Sequence, residues 1–407
     1  MDSNRLETII TPGGASLASE DPVARARALI PLLSAQGPEM DRRMELTPEV
    51  VEALAAGDFF RLLTPKHLGG QALPLHVFAQ ITEAIAQGDA STAWCVNQGN
   101  VSVMSSVAYL EPEEARALFG DRRSGLAWGA QHPRARAVKC EGGWRVTGTW
   151  DFASGNRHAT MLGAHVPAYE ADGTSPRLGP NGKQEIRTVL FPKGEARIDR
   201  EDWAAIGLRA TGSDTYTIED LFIPEGRAIV RDRHADRKDH SPITAISSHL
   251  CYAAGFSGVA LGIARASLET YKELARGKQA RAGATLMRDN HAVQTEIGTL
   301  EARLRAVRVY WLTTIEAAWN EAVATGAQSM DTRMAHRLAT THAIREATEI
   351  SVACYRAAGT TAVLAKQPFE RRFRDAMSAS QHLQGGQWHI EMVGRHLLGV
   401  EQTPAFL

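Results

Sequence analysis

Residues 142–155 read Gly-Gly-Trp-Arg-Val-Thr-Gly-Thr-Trp-Asp-Phe-Ala-Ser-Gly, and this stretch decides the fold. Trp144, Trp150 and Phe152 alternate with polar residues, which is the period of a strand that buries one face. The initial Gly-Gly pair follows a short run of apolar and polar residues and predicts a tight hairpin turn. The sequence therefore predicts a β hairpin whose second strand ends at Ser154.

The spacing of apolar residues changes from strand to helix on both sides of this hairpin. Helices are predicted before it, for example over Leu75–Gln87 and Ala93–Val107, and again towards the C-terminus. This order predicts an N-terminal helical domain over 1–120, a central β domain over 121–240 and a C-terminal helical bundle over 241–407.

Two helical stripes characterise the C-terminal region. The first is apolar with spacings of four and three residues, and the second consists of small or medium-sized residues that let helices approach closely. The first stripe consists of Val293, Ile297, Leu300, Leu304 and Val307. The second consists of Ala339, Ala343, Ala347, Ile350 and Cys354. The preceding segment, 226–242, is dense in charge and is predicted to be an exposed linker.

Composition excludes several classes of protein. Of 407 residues, 44% are hydrophobic and 22% charged, and the formal net charge of -1 provides no global field for nucleic acid or an anionic membrane. The four cysteines form no C-x-x-C pair, so free thiols in a reducing cytoplasm are expected rather than zinc or disulfides. We expect neither a signal peptide nor a membrane-spanning run.

The motifs resemble those of the acyl-CoA dehydrogenase superfamily, in this order along the chain. The matching segments are Gly88–Trp94, Gly142–Gly155, Gly207–Ser213 with Leu221–Pro224, and Arg374–Ala376. The resemblance implies an α+β, mostly α, fold with an N-terminal helical domain, a central β-barrel-like domain and a C-terminal four-helix bundle. It places Arg374–Ala376 at the start of the last helix.

Departures from the dehydrogenase pattern indicate a different branch. His382 stands where the major dehydrogenase branch carries its catalytic glutamate, and Trp150–Gly155 is closer to the two-component monooxygenases. That branch includes the oxygenase component of p-hydroxyphenylacetate hydroxylase, secosteroid hydroxylases and dibenzothiophene monooxygenase. Arg281–Ala284 lacks the phenylalanine of the R-x-x-F-G motif with which dehydrogenases hold FAD, which fits an enzyme that takes up diffusing flavin.

The resemblance assigns roles to individual residues. Ser154 is expected beside the flavin N5, and His382 either as a base or as a hydrogen-bond partner of the bound oxygen. His382, His389 and His396 are spaced by seven and are predicted to share one helix face, a spacing that does not favour a metal. The expected flavin-binding residues are Trp128, Trp150, Phe152, Ser154, Arg209, Thr211, Ser213, Arg281 and Gln294, and the expected substrate-pocket residues are Trp94, Asn97 and Asn100.

Structural explanations remain open for these positions. Ser154-Gly155 also suits a simple turn, and His382 also suits a helix histidine bonded to the backbone. Trp128 is equally suited to a core position, and Arg209 or Gln294 to a solvated surface.

The predicted function is that of the oxygenase component of a two-component monooxygenase. It would use reduced FMN or FAD from a separate reductase, together with oxygen, to oxygenate an aromatic or heteroaromatic small molecule. The resemblance also implies a cytoplasmic homotetramer with no nucleic-acid or membrane partner. Two alternatives remain: an FAD-dependent acyl-CoA dehydrogenase whose base lies elsewhere, and a non-catalytic flavin-binding subunit.

Overall fold

The computed structural model describes residues 20–231, 234–279, 285–401 and 407. Its first part is helical. The helices are α1 Pro22–Ala28, α2 Ile30–Arg43, α3 Pro48–Ala56, α4 Leu75–Gly88, α5 Ala90–Val107 and α6 Pro112–Phe119.

Helix α5 is the buried element of this part, and its start is fixed by Asp89. The Asp89 carboxylate accepts a hydrogen bond of 2.8 Å from the Thr92 backbone N–H, an N-cap that satisfies a donor the helix itself cannot. Seventeen of its 18 residues are buried, so α5 is covered on all sides. The predicted helices over Leu75–Gln87 and Ala93–Val107 are therefore confirmed.

The middle of the chain forms a mixed sheet. Its strands are β1 Leu126–Trp128, β2 Ala130–Gln131, β3 Arg136–Cys140, β4 Gly143–Ala153, β5 Met161–Tyr169, β6 Ile186–Pro192, β7 Arg197–Asp199, β8 Asp214–Pro224 and β9 Ala228–Ile229. The order is β7-β8-β4-β3-β5-β6-β9, with β1 parallel to β5 and β2 antiparallel to β4. The predicted hairpin is the β3–β4 pair, and it turns at Gly142 with a φ of 73°.

Strand β4 follows the predicted alternation as far as Trp150 and then departs from it. Trp144 and Trp150 are fully buried, whereas Phe152 is 65% exposed. The register with β8 shifts between Trp150 and Ala153, and Phe152 has a φ of 60°, so a β-bulge turns its side chain outward. The expectation that Phe152 shares a face with Trp144 and Trp150 is therefore wrong.

Five α-helices follow the sheet in the part of the chain that the structure describes. They are α7 Ser248–Gly277, α8 His291–Thr325, α9 Met330–Ala358, α10 Pro368–Ser380 and α11 Trp388–Leu397. Among the described residues, only α7 is long and apolar enough to cross a membrane, but 89% of the qualifying window is buried inside the fold. Helix α7 packs against α4, α5, α8, α9 and α10 and is the central helix of the molecule.

Both predicted stripes pack within the chain. The last three members of the first, on α8, are buried, and its first two members are partly buried. All five members of the second, on α9, are fully buried. The acyl-CoA dehydrogenase fold, with its C-terminal bundle, is confirmed.

Two expectations about the last helices are wrong. Arg374–Ala376 lies inside α10 rather than at the start of a helix. His382, His389 and His396 do not share one helix, because the chain leaves α10 at Ser380 and α11 begins only at Trp388. A short 3-10 turn, Leu383–Gly385, lies between the two helices, and His382 caps this turn.

The close approach of α4 and α7 provides a test of the packing. A Cβ on Gly258 would lie 2.6 Å from the Ala79 carbonyl oxygen, whereas a Cβ on Gly298 of α8 would meet nothing within 4 Å. We expect Gly258→Ala to lower the free energy of unfolding by about 1–3 kcal/mol through overpacking. Gly298→Ala, the matched control, should raise it by roughly 0.5–1 kcal/mol through helix propensity. Urea denaturation at equal protein concentration measures both, and a stabilised Gly258→Ala would contradict the packing.

Candidate active site

A chain of three buried hydroxyl groups lies where β4 ends and β8 begins. The Ser154 Oγ and Ser213 Oγ are 2.7 Å apart, and the Ser213 Oγ is 2.7 Å from the Thr211 Oγ1. The Trp94 indole N–H, from α5, donates to the Ser154 Oγ over 3.2 Å. Three residues predicted to contact flavin and one predicted for the substrate pocket are thus brought together.

The direction of the protons in this chain follows from its two ends. The Thr211 hydroxyl donates to the Leu208 carbonyl oxygen at 2.7 Å, so its oxygen can only accept from Ser213. Since a hydroxyl has one proton, Ser213 donates its proton to the Thr211 Oγ1 and has none left for Ser154. Ser154 must then donate to Ser213, and it accepts from Trp94. Ser154 therefore has one lone pair left, and it can accept one further hydrogen bond with it.

Three aromatic rings form a wall beside this chain. The Trp94 and Phe256 ring centroids are 3.9 Å apart, and His382 meets the Trp94 ring edge-on, with a centroid distance of 5.2 Å. His382 and Phe256 are 4.6 Å apart by the same measure. Tyr252, one turn before Phe256 on α7, stacks on Phe256 at 5.8 Å. This aromatic wall, Trp94–Phe256–His382, joins α5, α7 and the α10–α11 connection.

His382 is held as a neutral imidazole. Its Nδ1 accepts a hydrogen bond of 3.4 Å from the Gln384 backbone N–H, so the ring proton lies on Nε2. Burial, and then the charge of Arg337, lower the pKa of His382 to about 4. The buried Arg337 also donates to the Gln384 side-chain oxygen and so fixes the turn that holds the ring. A ring with this pKa is a weak base near neutrality, and of the two predicted roles the hydrogen-bond donor fits.

A cavity opens on the other side of Ser154. It is lined by the end of β4 and the turn after it, by α5 and by the segment leading into β1. The lining residues are Phe60, Cys95, Gly99, Gly125, Leu126, Ser154, Gly155, His158 and Ala159. Burial and the charge of Lys193 lower the pKa of His158 to about 4, so this lining carries no ionised group near neutrality.

Two tryptophans predicted to contact flavin are packed within the fold, and their contact with flavin stays a prediction. The Trp150 side chain is fully buried in the β-domain core, where it stacks on Tyr216 and donates to the His165 carbonyl oxygen. Trp128 is 6% exposed, with the Arg231 guanidinium 4.6 Å above its ring.

Arg209 and Asn100 also have structural roles. The Arg209 guanidinium points to α2, where its Nε donates to the Asp41 carbonyl oxygen over 3.1 Å. Asn100 is fully buried and uses both ends of its amide on the backbone, donating to Phe59 and accepting from Leu63. Their contact with flavin and substrate stays a prediction, and in the structure the Arg209 Nε and both ends of the Asn100 amide are bonded within the fold.

Asn97 differs from Asn100. Its amide nitrogen donates to the Tyr252 carbonyl oxygen over 3.3 Å, while its amide oxygen is buried without a hydrogen bond. Gln294 is exposed on α8 and donates to the Arg288 carbonyl oxygen, so its predicted reach to a neighbouring flavin stays a prediction. Arg281 lies outside the described residues.

Sequence analysis missed several residues of this site. Phe256 and Tyr252 complete the wall, but on α7 their spacing is that of ordinary core residues. Arg231 was expected in an exposed linker, yet it turns inward over Trp128. The burial of Arg337 could not be predicted from the sequence. It is a single charged residue on α9, and distant parts of the chain cover it.

A family model and several curated relatives match the chain. Residues 254–385 match the model of the acyl-CoA dehydrogenase C-terminal domain. The indole-3-acetate monooxygenase of Pseudomonas putida is 29% identical over 91% of both chains. The oxygenase component of the FADH2-dependent resorcinol hydroxylase of a Rhizobium species is 24% identical, over 93% of this chain and 94% of its own.

The fold is also that of a solved structure, the dibenzothiophene monooxygenase of Paenibacillus sp. A11-2 in complex with FMN and indole. The TM-score is 0.80 at 21% identity, over 95% of this chain and 100% of the other. The resemblance to the acyl-CoA dehydrogenase superfamily, and within it to flavin-dependent monooxygenases, is confirmed.

The neutral state of His382 predicts a pH dependence of stability. In the unfolded chain an imidazole titrates near 6.5, so between about pH 6.5 and 4 the unfolded chain binds the extra proton and the fold loses stability. From pH 7.5 to 5.0, His382→Gln should therefore lose about 1–2 kcal/mol less free energy of unfolding than the wild type. Urea denaturation at both pH values measures this, with the exposed His342→Gln as control. An unchanged pH dependence in His382→Gln would contradict the buried, neutral ring.

Proposed function

As a member of the acyl-CoA dehydrogenase superfamily with flavin-dependent monooxygenases among its relatives, this chain is, we propose, the oxygenase component of a two-component monooxygenase. It would take reduced flavin from a separate reductase and, with oxygen, oxygenate an aromatic or heteroaromatic small molecule. The observation that carries the proposal is the directed hydroxyl chain from Trp94 through Ser154 and Ser213 to Thr211.

The residues around Ser154 fit a flavin ring. Ser154 offers a lone pair, and reduced flavin carries an N–H at N5 that oxidised flavin lacks, so the hydroxyl chain favours the reduced form. Phe152, turned outward by the bulge, and Trp203, whose ring meets it edge-on at 6.4 Å, provide an apolar rim. When bound, the flavin supplies the activation of oxygen, and the protein supplies binding and exclusion of water.

His382 provides the second functional group. Its Nε2–H is a donor on a ring that stays neutral from neutral pH down to about pH 5, because the pKa lies near 4. Such a donor can hold an oxygen atom close to the aromatic wall without delivering charge into it. The wall itself, formed with Trp94 and Phe256, offers stacking and edge-on contacts to a planar aromatic substrate.

The dehydrogenase alternative receives no support from the described residues. No acidic residue lines the described cavity, and the buried Asp375 accepts a hydrogen bond of 2.7 Å from the Leu208 backbone N–H. That bond ties Asp375 to the segment after β7, where it fixes the chain. A dehydrogenase would need a free carboxylate beside the substrate.

Finer points of the proposal concern the flavin and the assembly. Both FMN and FAD are compatible with it, because one relative is named for FADH2 and one neighbour was solved with FMN. A cytoplasmic homotetramer is proposed from the resemblance. It is supported by apolar side chains left exposed on α8, among them Val309 at 61% and Val323 at 53%.

The function is tested by mixing the protein with reduced FMN or FAD, oxygen and a panel containing indole, indole-3-acetate and resorcinol. We expect an oxygenated product with at least one compound, analysed by mass spectrometry with labelled oxygen. His382→Ala should lower the yield of product per flavin oxidised by about 10- to 100-fold and raise hydrogen peroxide correspondingly. Flavin oxidation to hydrogen peroxide alone with every compound would contradict the proposal.

The direction of the hydroxyl chain is tested by Ser213→Ala. Without Ser213, the Ser154 hydroxyl is free to turn and donate to oxidised flavin, so the preference for reduced FMN should fall by about 3- to 10-fold. Anaerobic titrations with oxidised and reduced FMN give the ratio of dissociation constants. Thr149→Ala, which removes a hydroxyl pair elsewhere on β4, is the control. A preference equal to that of the wild type would show that the chain does not orient Ser154.

A further inference from the structure

Helix α5 is buried along its whole length except at Gly99, which is half-buried. Glycine destabilises the interior of a helix relative to alanine, so a glycine at this place needs a physical reason. On α7 the reason is close packing, since a Cβ on Gly255 would clash with the Asn97 side chain and one on Gly262 with the Glu83 carbonyl oxygen. Gly99 has no such reason, because a Cβ there would meet no atom of the described residues within 4 Å.

The open space beside Gly99 is the cavity next to Ser154. Gly99 and Cys95, one turn before it on α5, both line this cavity. About 20 Å³ is open to the centre of a water-sized sphere, whereas roughly 10–15 Å³ is enough for one water molecule. The cavity therefore has room for one very small molecule and is too small for the rings of a flavin or an aromatic substrate.

The backbone groups that line the cavity are used within the fold. The Ser102 Oγ donates to the Gly99 carbonyl oxygen over 3.0 Å and to the Leu126 carbonyl oxygen over 2.8 Å. The Gly155 carbonyl oxygen accepts from the Ala159 backbone N–H over 3.0 Å. These carbonyl groups are satisfied without a guest in the cavity, so the lining is less polar than its composition indicates.

The side chains of the lining carry no charge near neutrality. Burial raises the pKa of the Cys95 thiol far above its usual value. Burial and the charge of Lys193 lower the pKa of His158 to about 4. The remaining polar group is Ser154, whose free lone pair accepts from the flavin N5–H in the proposed function. A buried water needs about two to four polar partners, so with flavin bound the cavity favours an apolar guest over water.

The position of the cavity fits the oxygen that the proposed reaction consumes. Reduced flavin reacts with dioxygen at the ring carbon bonded to N5, and the proposed partner of N5 is Ser154, which lines the cavity. Phe60, Gly125 and His158 are half-buried, whereas Leu126 and Ser154 are buried. The cavity therefore connects the partly exposed side of its lining with Ser154.

We propose that this cavity is the dioxygen-binding pocket of the enzyme, and that the missing side chain of Gly99 keeps it open. The inference rests on the proposed function, since it places the second substrate of the same reaction. Dioxygen is small, neutral and a weak hydrogen-bond acceptor, which matches an uncharged lining whose backbone groups are already bonded. A Cβ at Gly99 would occupy part of this space.

Xenon tests the pocket by binding alone, because it enters small apolar cavities and undergoes no reaction. The xenon NMR chemical shift is followed at several gas pressures, with the flavin-free protein and with reduced FMN under anaerobic conditions. We expect saturable binding by the wild type, an affinity about 3- to 10-fold lower in Gly99→Ala, and no saturable binding in Gly99→Val.

The matched controls are Gly298→Ala and Gly298→Val, on α8, where a Cβ also meets no atom of the described residues within 4 Å. Both should bind xenon as the wild type does. Gly99→Ala favours the helix, so it keeps the test valid if the valine variant does not fold. Absence of saturable binding by the wild type, or equal binding by Gly99→Ala and the wild type, overturns the proposal.

The oxidation of bound flavin provides a second readout. Protein-bound reduced FMN is mixed with oxygen at several concentrations in a stopped-flow instrument, which gives the second-order rate constant. In Gly99→Val this constant should fall by about 10-fold or more, whereas the Kd of reduced FMN should change by less than about 3-fold. If Gly99→Ala instead weakens reduced FMN by 10-fold or more, roughly the loss of a ring contact, the flavin itself fills the cavity and the proposal is overturned.

The two readouts separate this inference from the proposed function. Oxygenation of an aromatic compound by a wild type that binds no xenon overturns the oxygen pocket and leaves the monooxygenase standing. Xenon binding and flavin oxidation that both depend on Gly99, without an oxygenated product from any compound, support the pocket and overturn the monooxygenase.

Discussion

The register shift between Trp150 and Ala153 is the constraint on which the site depends. Before the shift, β4 buries its large side chains in the β-domain core, and Trp150 is locked there by Tyr216 and the His165 carbonyl oxygen. After the shift the strand has gained a residue relative to β8, so Phe152 faces outward and Ser154 meets Ser213. A bulge leaves one residue of the strand unpaired and re-aims the side chains around it.

Much of this fold could be predicted from the sequence, because local patterns specify it. Alternation on β4, the Asp89 cap and the small-residue stripe of α9 each depend on neighbours in the chain. The bulge could not be predicted, since alternation continues through Phe152 in the sequence and only pairing with β8 breaks it. Arg231 was misplaced for the same reason: a charge-rich segment predicts exposure, and only the fold supplies the Trp128 face that takes the guanidinium inward.

The predicted site residues fall into two groups in the structure. Trp94, Ser154 and Ser213 are joined by hydrogen bonds next to the bulge, where the family pattern is most specific. Trp150, Arg209 and Asn100 are of residue types that can bind a ligand, but their side chains make hydrogen bonds to the backbone within the fold. Whether a side chain is free for a ligand depends on hydrogen bonds with distant backbone, which a single sequence does not contain.

Helix α7 explains why aromatic, hydroxyl and cationic groups can share so small a volume. All of its residues from Leu250 to Ala264 are buried, so it excludes water from the side of the site that carries Tyr252 and Phe256. In that low-dielectric setting His382 is neutral, and the Arg231 charge acts over longer distances than it would in water. Two charged groups near the site contact neutral residues. The Arg231 guanidinium lies over the Trp128 ring, and Arg337 donates to the Gln384 side-chain oxygen. The centre of the site is therefore uncharged and shielded from water, as an oxygen-transfer reaction requires. The positive charges lie at its edges.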